Sequence, residues 1–191
     1  MSGAGGGAGR STYSRVSIWL HWTIGLAIIA NIVLVLAHES VTATLGGTMM
    51  GWHKALGITV LALSLFRWAW RLGHRPPPLP TTVKRWEKGL AHALHWTFYL
   101  LIVLMPLTGW AMSSGATQRR PLTWFGLFDI PYLPVARGGS LAGVSHEFHE
   151  IAGYAMIALI VLHIAAAIKH QLVDRDNVVH RMLPLVSPSQ R

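Results

Sequence analysis

The sequence contains no cysteine and few charged residues. Of its 191 residues only 12% are Asp, Glu, Lys or Arg, about half the share typical of a soluble domain. The absence of cysteine excludes disulfides, iron–sulfur clusters, cysteine-ligated zinc fingers and covalent haem attachment through a C-x-x-C-H motif. The low charge, together with 52% hydrophobic residues and a mean hydropathy of +0.42, indicates lipid as the main solvent.

Acidic residues are scarcer still, with 7 Asp and Glu against 16 Lys and Arg, for a net charge of +9. Such an excess can indicate a nucleic-acid-binding surface. Here, however, the basic residues lie beside apolar runs and do not form one stripe. We therefore expect no nucleic-acid partner, and we attribute the basic excess to membrane topology and attraction to anionic lipid.

Four apolar runs are long enough to cross a bilayer, which takes about 20 residues of helix. They lie at about 16–37, 52–70, 90–112 and 149–168. The first run exceeds the core of a cleaved signal peptide, so we expect it to be retained. The sequence predicts an all-α, integral membrane four-helix bundle in one domain, 13–184. A disordered Gly-rich tail, 1–12, precedes it and a cytoplasmic tail, 185–191, follows it.

The basic residues are distributed unevenly between the two sides of these spans. Twelve of the 16 Lys and Arg residues fall in the two terminal segments and the second connection, and four on the opposite side. Because cytoplasmic segments carry the excess of Lys and Arg, we expect both termini in the cytoplasm. The long connection 113–145 is expected to pack over the outer surface.

Two histidines mark the ends of the last apolar run. His149 and His163 are 14 residues apart, which is about 21 Å of helix and about 40° of rotation. They therefore share one helix face at two membrane depths. Each is suited to contribute one ligand to a separate site.

Partners for these two histidines are predicted from depth. His21 and His163 each lie six residues inside a basic residue that marks the cytoplasmic boundary. His53 opens the second span at the outer boundary, the level of His149. The sequence therefore predicts two pairs, His21 with His163 and His53 with His149.

An ionisable side chain inside a membrane is by default a functional candidate. Zinc takes three or four protein ligands, and further ligands are scarce at either depth. Haem iron takes two axial side chains, and two histidines leave no open position for dioxygen. The pattern therefore predicts two b haems that transfer electrons. His146, three residues outward from His149, is the main alternative ligand.

Four other polar residues are candidates for supporting roles. Arg67 follows His53 by 14 residues and is predicted to contact a haem propionate or lipid phosphate at the inner depth. Lys54 is suited to the outer propionates or to attracting an anion. His92 and His95, at the start of the third span, are candidates for supporting the ligands, for binding quinone, or for an interfacial position.

Several segments together resemble the bacterial cytochrome b561 family, which is related to the cytochrome b subunits of nickel hydrogenases and formate dehydrogenases. The segments are YSRVSIWLHW (13–22), WHKALGITVLALSLFRWAWR (52–71), GLAHALHW (89–96), HEIAGYAMIALIVLHIAAAIKH (149–170) and DNVVHRMLP (176–184). The resemblance extends over most of 13–184. The Gly-rich tail and parts of the outer connection fall outside it.

The resemblance implies a bundle with two b haems in the bacterial inner membrane, exchanging electrons with ubiquinone. It implies His21, His53, His149 and His163 as axial ligands, and superoxide as an electron donor at the outer face. The alternative within the same resemblance is a membrane-anchor subunit that exchanges electrons with a periplasmic redox partner. A third hypothesis, a proton-coupled transporter that uses its histidines, predicts a protein without haem absorbance.

Overall fold

The computed structural model describes residues 13–74, 76–78, 83–176 and 178–183. Its helices are α1 (Arg15–Ala37), α2 (Ala43–Gly73), α3 (Arg85–Ser114) and α4 (Ser140–Lys169), and its two strands are β1 (Thr123–Trp124) and β2 (Phe128–Asp129). The predicted all-α membrane bundle is confirmed. The predicted tails 1–12 and 185–191 lie outside the described residues.

All four helices are long and apolar enough to cross a membrane. The apolar runs seen in the sequence lie within them, and the helices continue beyond the runs. For example, α2 begins nine residues before Trp52, and α4 begins nine residues before His149. Large apolar side chains such as Leu26, Val33 and Leu162 are exposed on the outside of the bundle. That exposure is expected for helices whose outer faces contact lipid.

Polar contacts join the helices at the ends that are predicted to face the cytoplasm. Ser14 caps α1, since its Oγ accepts a hydrogen bond from the Ser17 amide at 3.2 Å, and it also accepts one from the Trp70 indole of α2 at 3.2 Å. The Trp22 indole donates to the Met182 carbonyl at 2.7 Å, and Lys169 Nζ lies 3.0 Å from Glu87 Oε1. The segment after α4 is therefore attached to α1, and α4 to α3.

Among the described residues, two small clusters of buried apolar side chains join the helices in pairs. Leu20, Ile24 and Val60 pack between α1 and α2. Leu101, Ile102, Ala152 and Met156 pack between α3 and α4. Ile28 of α1 contacts both clusters. Between them the described residues leave a cavity, which His53 and His149 line.

The turn between α1 and α2 depends on close approach of the backbone at Gly46. A Cβ atom at this position would meet the His38 carbonyl oxygen at 2.5 Å, whereas one at Gly47 would meet nothing within 4 Å. These neighbouring glycines of one helix therefore differ only in the space around them. Gly46 is required by packing, and Gly47 is not.

We expect Gly46→Ala to destabilise the protein and Gly47→Ala to stabilise it slightly. Overpacking costs about 1–3 kcal/mol, and replacing Gly by Ala inside a helix gains about 0.5–1 kcal/mol. Thermal unfolding in detergent, followed by circular dichroism at 222 nm, measures both effects. Equal unfolding midpoints for the two variants would contradict the close approach.

Candidate functional site

The structure brings each sequence-predicted histidine pair together. His21 of α1 faces His163 of α4 with ring centres 6.2 Å apart and ring planes at 69°. His53 of α2 faces His149 of α4 at 6.1 Å and 77°. The two pairs thus lie at the two depths that their spacing on α4 predicts.

The ring spacing matches two ligands of a single metal atom. A bond between a metal and an imidazole nitrogen is about 2 Å long, so two rings on opposite sides of one metal have centres about 6 Å apart. Both observed distances, 6.1 and 6.2 Å, agree with this. Each pair therefore fits the two axial positions of a haem iron.

His53 and His149, the pair on the predicted outer side, are called the outer pair, and His21 and His163 the inner pair. Hydrogen bonds orient the outer pair for metal binding. His53 Nδ1 lies 3.2 Å from the Asn31 carbonyl oxygen, and His149 Nδ1 lies 2.9 Å from the Met105 carbonyl oxygen. A carbonyl oxygen only accepts, so each Nδ1 carries the hydrogen and Nε2 keeps its lone pair for a metal. The Thr108 hydroxyl, 3.2 Å from His149 Nδ1, holds the same edge of the ring.

A cavity of about 570 Å³ surrounds the outer pair, within the roughly 300–1,000 Å³ typical of small-molecule and cofactor sites. All four helices line it, mainly with apolar side chains such as Ile102 and Met156. Asn31 Oδ1 is buried in this region without a hydrogen-bond partner among the described residues. An apolar group with a polar edge suits these walls.

Gly109 of α3 gives the His149 ring its space. A Cβ atom at this position would lie 3.0 Å from His149 Cε1 and 3.4 Å from Nδ1. Gly109 is not among the site residues predicted from the sequence. The sequence feature that could have indicated it is a glycine within the apolar α3 helix at the depth of His149, where a larger residue would fill the interior.

The inner site contains a third histidine. The His95 ring of α3 lies 6.0 Å from the His163 ring at 89°, and its Nδ1 lies 2.5 Å from the Ala91 carbonyl oxygen. His163 therefore has two neighbours at similar distance, His21 and His95. Both His95 and His92, one turn earlier on α3, are exposed, and of these two described residues only His95 has a ring contact with His163.

Arg67 lies at the depth of the inner pair, as its spacing from His53 predicts. Its Nη1 is 3.5 Å from His21 Nδ1. One turn along α2, Arg71 donates a hydrogen bond to the Tyr99 hydroxyl. No carboxylate of the described residues forms an ion pair with either arginine, so the inner site keeps a positive charge suited to an anionic group.

Lys54 lines the outer cavity beside His53. The positive charge of Arg120, in the outer connection, lies close enough to repel that of Lys54. Glu39 and Glu150 line the same cavity, but neither forms an ion pair with Lys54 among the residues described. The outer opening therefore combines a positive centre with two carboxylates.

A bundle of four membrane-spanning helices with histidines facing across its interior defines a membrane haem protein of the four-helix type. The family model described as prokaryotic cytochrome b561 matches residues 12–185. The chain therefore belongs to the prokaryotic cytochrome b561 family. Members of this family bind b-type haem and transfer electrons, so the chain is a multi-pass bacterial membrane protein of that class.

Curated relatives match between about half and nine-tenths of the chain. Cytochrome b561 homolog 2 of Escherichia coli (strain K12) is 31% identical over 69% of this chain and 68% of its own length. A probable superoxide oxidase of Yersinia pestis is 29% identical over 90% of this chain and 96% of its own. A probable Ni/Fe-hydrogenase B-type cytochrome subunit of Cupriavidus necator is 30% identical over 48% of this chain and 35% of its own.

We expect Gly109→Ala to lower the haem content of the purified protein, because the added methyl group displaces the His149 ring. The matched control is Gly89→Ala on the same helix, where a new Cβ would meet no atom within 4 Å. Haem is measured as pyridine haemochrome per protein. A haem content in Gly109→Ala equal to that of Gly89→Ala would show that the ring accommodates the methyl group.

Proposed function

We propose that the protein holds two b haems, one between His21 and His163 and one between His53 and His149. The ring spacing of both pairs supports this assignment, as do the backbone hydrogen bonds of His53 and His149. A bound haem would supply one-electron chemistry. Held by one histidine on each side, it would transfer electrons and leave no position for dioxygen.

The single observation that carries this proposal is that α4 contributes one histidine to each facing pair. His149 and His163 are separated by 14 residues, or about 21 Å along the helix. Two redox centres on one rigid helix form a path between the two membrane surfaces. The protein is predicted to lie in a bacterial inner membrane with both termini in the cytoplasm. In that orientation the pair that contains His53 lies on the periplasmic side.

We propose superoxide as the donor at the outer face and ubiquinone as the acceptor. Each superoxide loses one electron and becomes dioxygen, and two such electrons with two protons convert ubiquinone to ubiquinol. The similarity to a probable superoxide oxidase over 90% of the chain supports this donor. Lys54 and Arg120 at the outer opening supply positive charge that attracts a small anion.

The inner cluster is the proposed quinone side. Of the two histidine candidates, His95 is favoured over His92 because its ring lies against His163. Arg67 is the proposed partner of the inner haem propionates, and Lys54 serves the outer propionates or the incoming anion. His95 is then close enough to the inner haem to support its ligand or to contact quinone.

A second candidate function is a membrane-anchor subunit that exchanges electrons with a periplasmic redox enzyme. The similarity to hydrogenase B-type cytochrome subunits over about half of the chain favours it. The two functions share the haem assignment and differ in the outer donor. Copurification of a stable periplasmic partner from native membranes would favour the anchor function.

We expect His149→Ala and His21→Ala each to lower the haem content from two per protein to one. His149→Ala removes the outer haem and His21→Ala the inner one, so the two variants keep different reduced-minus-oxidised spectra. The controls are His146→Ala, three residues outward on α4, and His95→Ala at the inner site; both should keep two haems. Loss of the inner haem in His95→Ala but not in His21→Ala would reassign the partner of His163.

We also expect Lys54→Gln to slow haem reduction by superoxide, by up to about tenfold at low salt. Removing a positive charge from the outer opening weakens the attraction of the anion. Raising the ionic strength should slow the unmodified protein more than the variant, because salt screens the same charge. Stopped-flow absorbance of the haem measures the rates.

The control for this charge is Lys88→Gln, on the predicted cytoplasmic side, which should leave the rate unchanged. A rate that does not depend on salt, equal in all three proteins, would argue against attraction by Lys54. A haem that superoxide does not reduce at all would favour the anchor-subunit function.

A further inference from the structure

The outer connection between α3 and α4 contains a β-hairpin. Strand β1 pairs with β2 in antiparallel register, Thr123 with Asp129 and Trp124 with Phe128. The turn residues Phe125 and Gly126 have φ values of 48° and 77°, and the Leu127 amide donates to the Trp124 carbonyl at 2.9 Å. Since Trp124 pairs with Phe128, three residues form the connection, and the first two, Phe125 and Gly126, have left-handed φ values.

Hydrogen bonds to two helices fix the position of this hairpin. The Trp124 indole donates to the Thr59 hydroxyl of α2 at 3.0 Å. Thr59 lies seven residues inside the predicted span 52–70, or about 10 Å along the helix. On the return, the Pro131 carbonyl accepts a hydrogen bond from the Trp110 indole, one turn before the end of α3, at 2.9 Å. The hairpin thus lies against the predicted span of α2 and against the last turn of α3.

The hairpin has a buried base and an apolar, exposed tip. Leu122 and Ile130 at its base are buried, and Leu122 also lines the outer cavity. At the tip, Phe125 is 41% exposed, Phe128 58% and Leu127 73%. The one charged residue between 121 and 136 is Asp129, exposed on the strand that returns from the tip. A tip of this composition suits hydrocarbon better than water.

Phe125 occupies a backbone conformation that disfavours it. At a φ of 48° an Asn or Gly is accommodated easily, whereas a bulky side chain is strained. Within the described residues its only ring contact is with Trp124, at 5.3 Å. The turn itself therefore does not call for an aromatic residue here, and a favourable contact outside the chain would offset the strain.

We infer that the hairpin tip, residues 125–128, inserts into the acyl chains of the outer leaflet of the bilayer. The depth fixed by Trp124 and Thr59 selects lipid over a soluble partner. Inserted in this way, the hairpin forms a lipid-facing wall beside the outer cavity, with Leu122 on the cavity side. This inference concerns the membrane and does not depend on which donor reduces the protein.

The absence of cysteine makes the inference directly testable. A nitroxide label on Leu127→Cys, in vesicles of phosphatidylethanolamine and phosphatidylglycerol, reports collisions with dissolved oxygen and with a water-soluble nickel chelate. The reference variants are Gln118→Cys, exposed on the outer connection, and Leu26→Cys, exposed on α1. Phe125→Cys provides a second position at the tip.

We expect labels at 127 and 125 to have oxygen-to-nickel collision ratios several-fold above that at 118 and close to that at 26. Labels at the tip that collide with nickel as often as the label at 118 would overturn the inference. So would low collision rates with both reagents, which indicate a protein contact. Spin–spin broadening that disappears on dilution with unlabelled protein would also overturn it, in favour of a contact between copies.

Discussion

Both facing histidine pairs depend on the regular geometry of α4. A helix in lipid satisfies its own backbone hydrogen bonds, so its register is fixed over its full length. That register places His149 and His163 on one face at two depths. The partner histidines come from α1 and α2, and these two helices make few contacts with α4. The facing rings, with the space between them, therefore stand where α1 and α2 would otherwise pack directly against α4.

The small size of the apolar core follows from that arrangement. One cluster joins α1 to α2 and the other joins α3 to α4, with Ile28 as their link. Since members of the family bind b-type haem, the group that occupies the space contributes apolar surface that side chains do not supply. A ligand that binds only the folded state stabilises that state, so the cofactor belongs to the structural interior as much as to the redox chemistry.

Hydropathy predicted the fold class because four runs of about 20 apolar residues are rare in a chain that does not cross a membrane. The depth of each histidine within its predicted span indicated which histidines would face each other. His95 was a candidate for supporting the ligands, but the sequence did not distinguish it from His92, because it does not give the crossing of α3 over α4. Gly109 was missed because its role is a contact with the His149 ring. The hairpin was missed too, because each strand has only two residues and the contact of Trp124 with Thr59 of α2 leaves no signal in the sequence.

The order of the helices along the chain bears on how the protein is made. Each facing pair takes one member from α4, the last helix to be synthesised. A nascent chain that has inserted only its first three helices therefore presents His21 and His53 without their partners. In the proposed two-haem arrangement, assembly of either centre has to wait for the fourth helix, and the contacts of Trp22 with Met182 and of Lys169 with Glu87 then close the finished bundle. The last helix to be made would thus complete both centres, and a product that ends before α4 would complete neither.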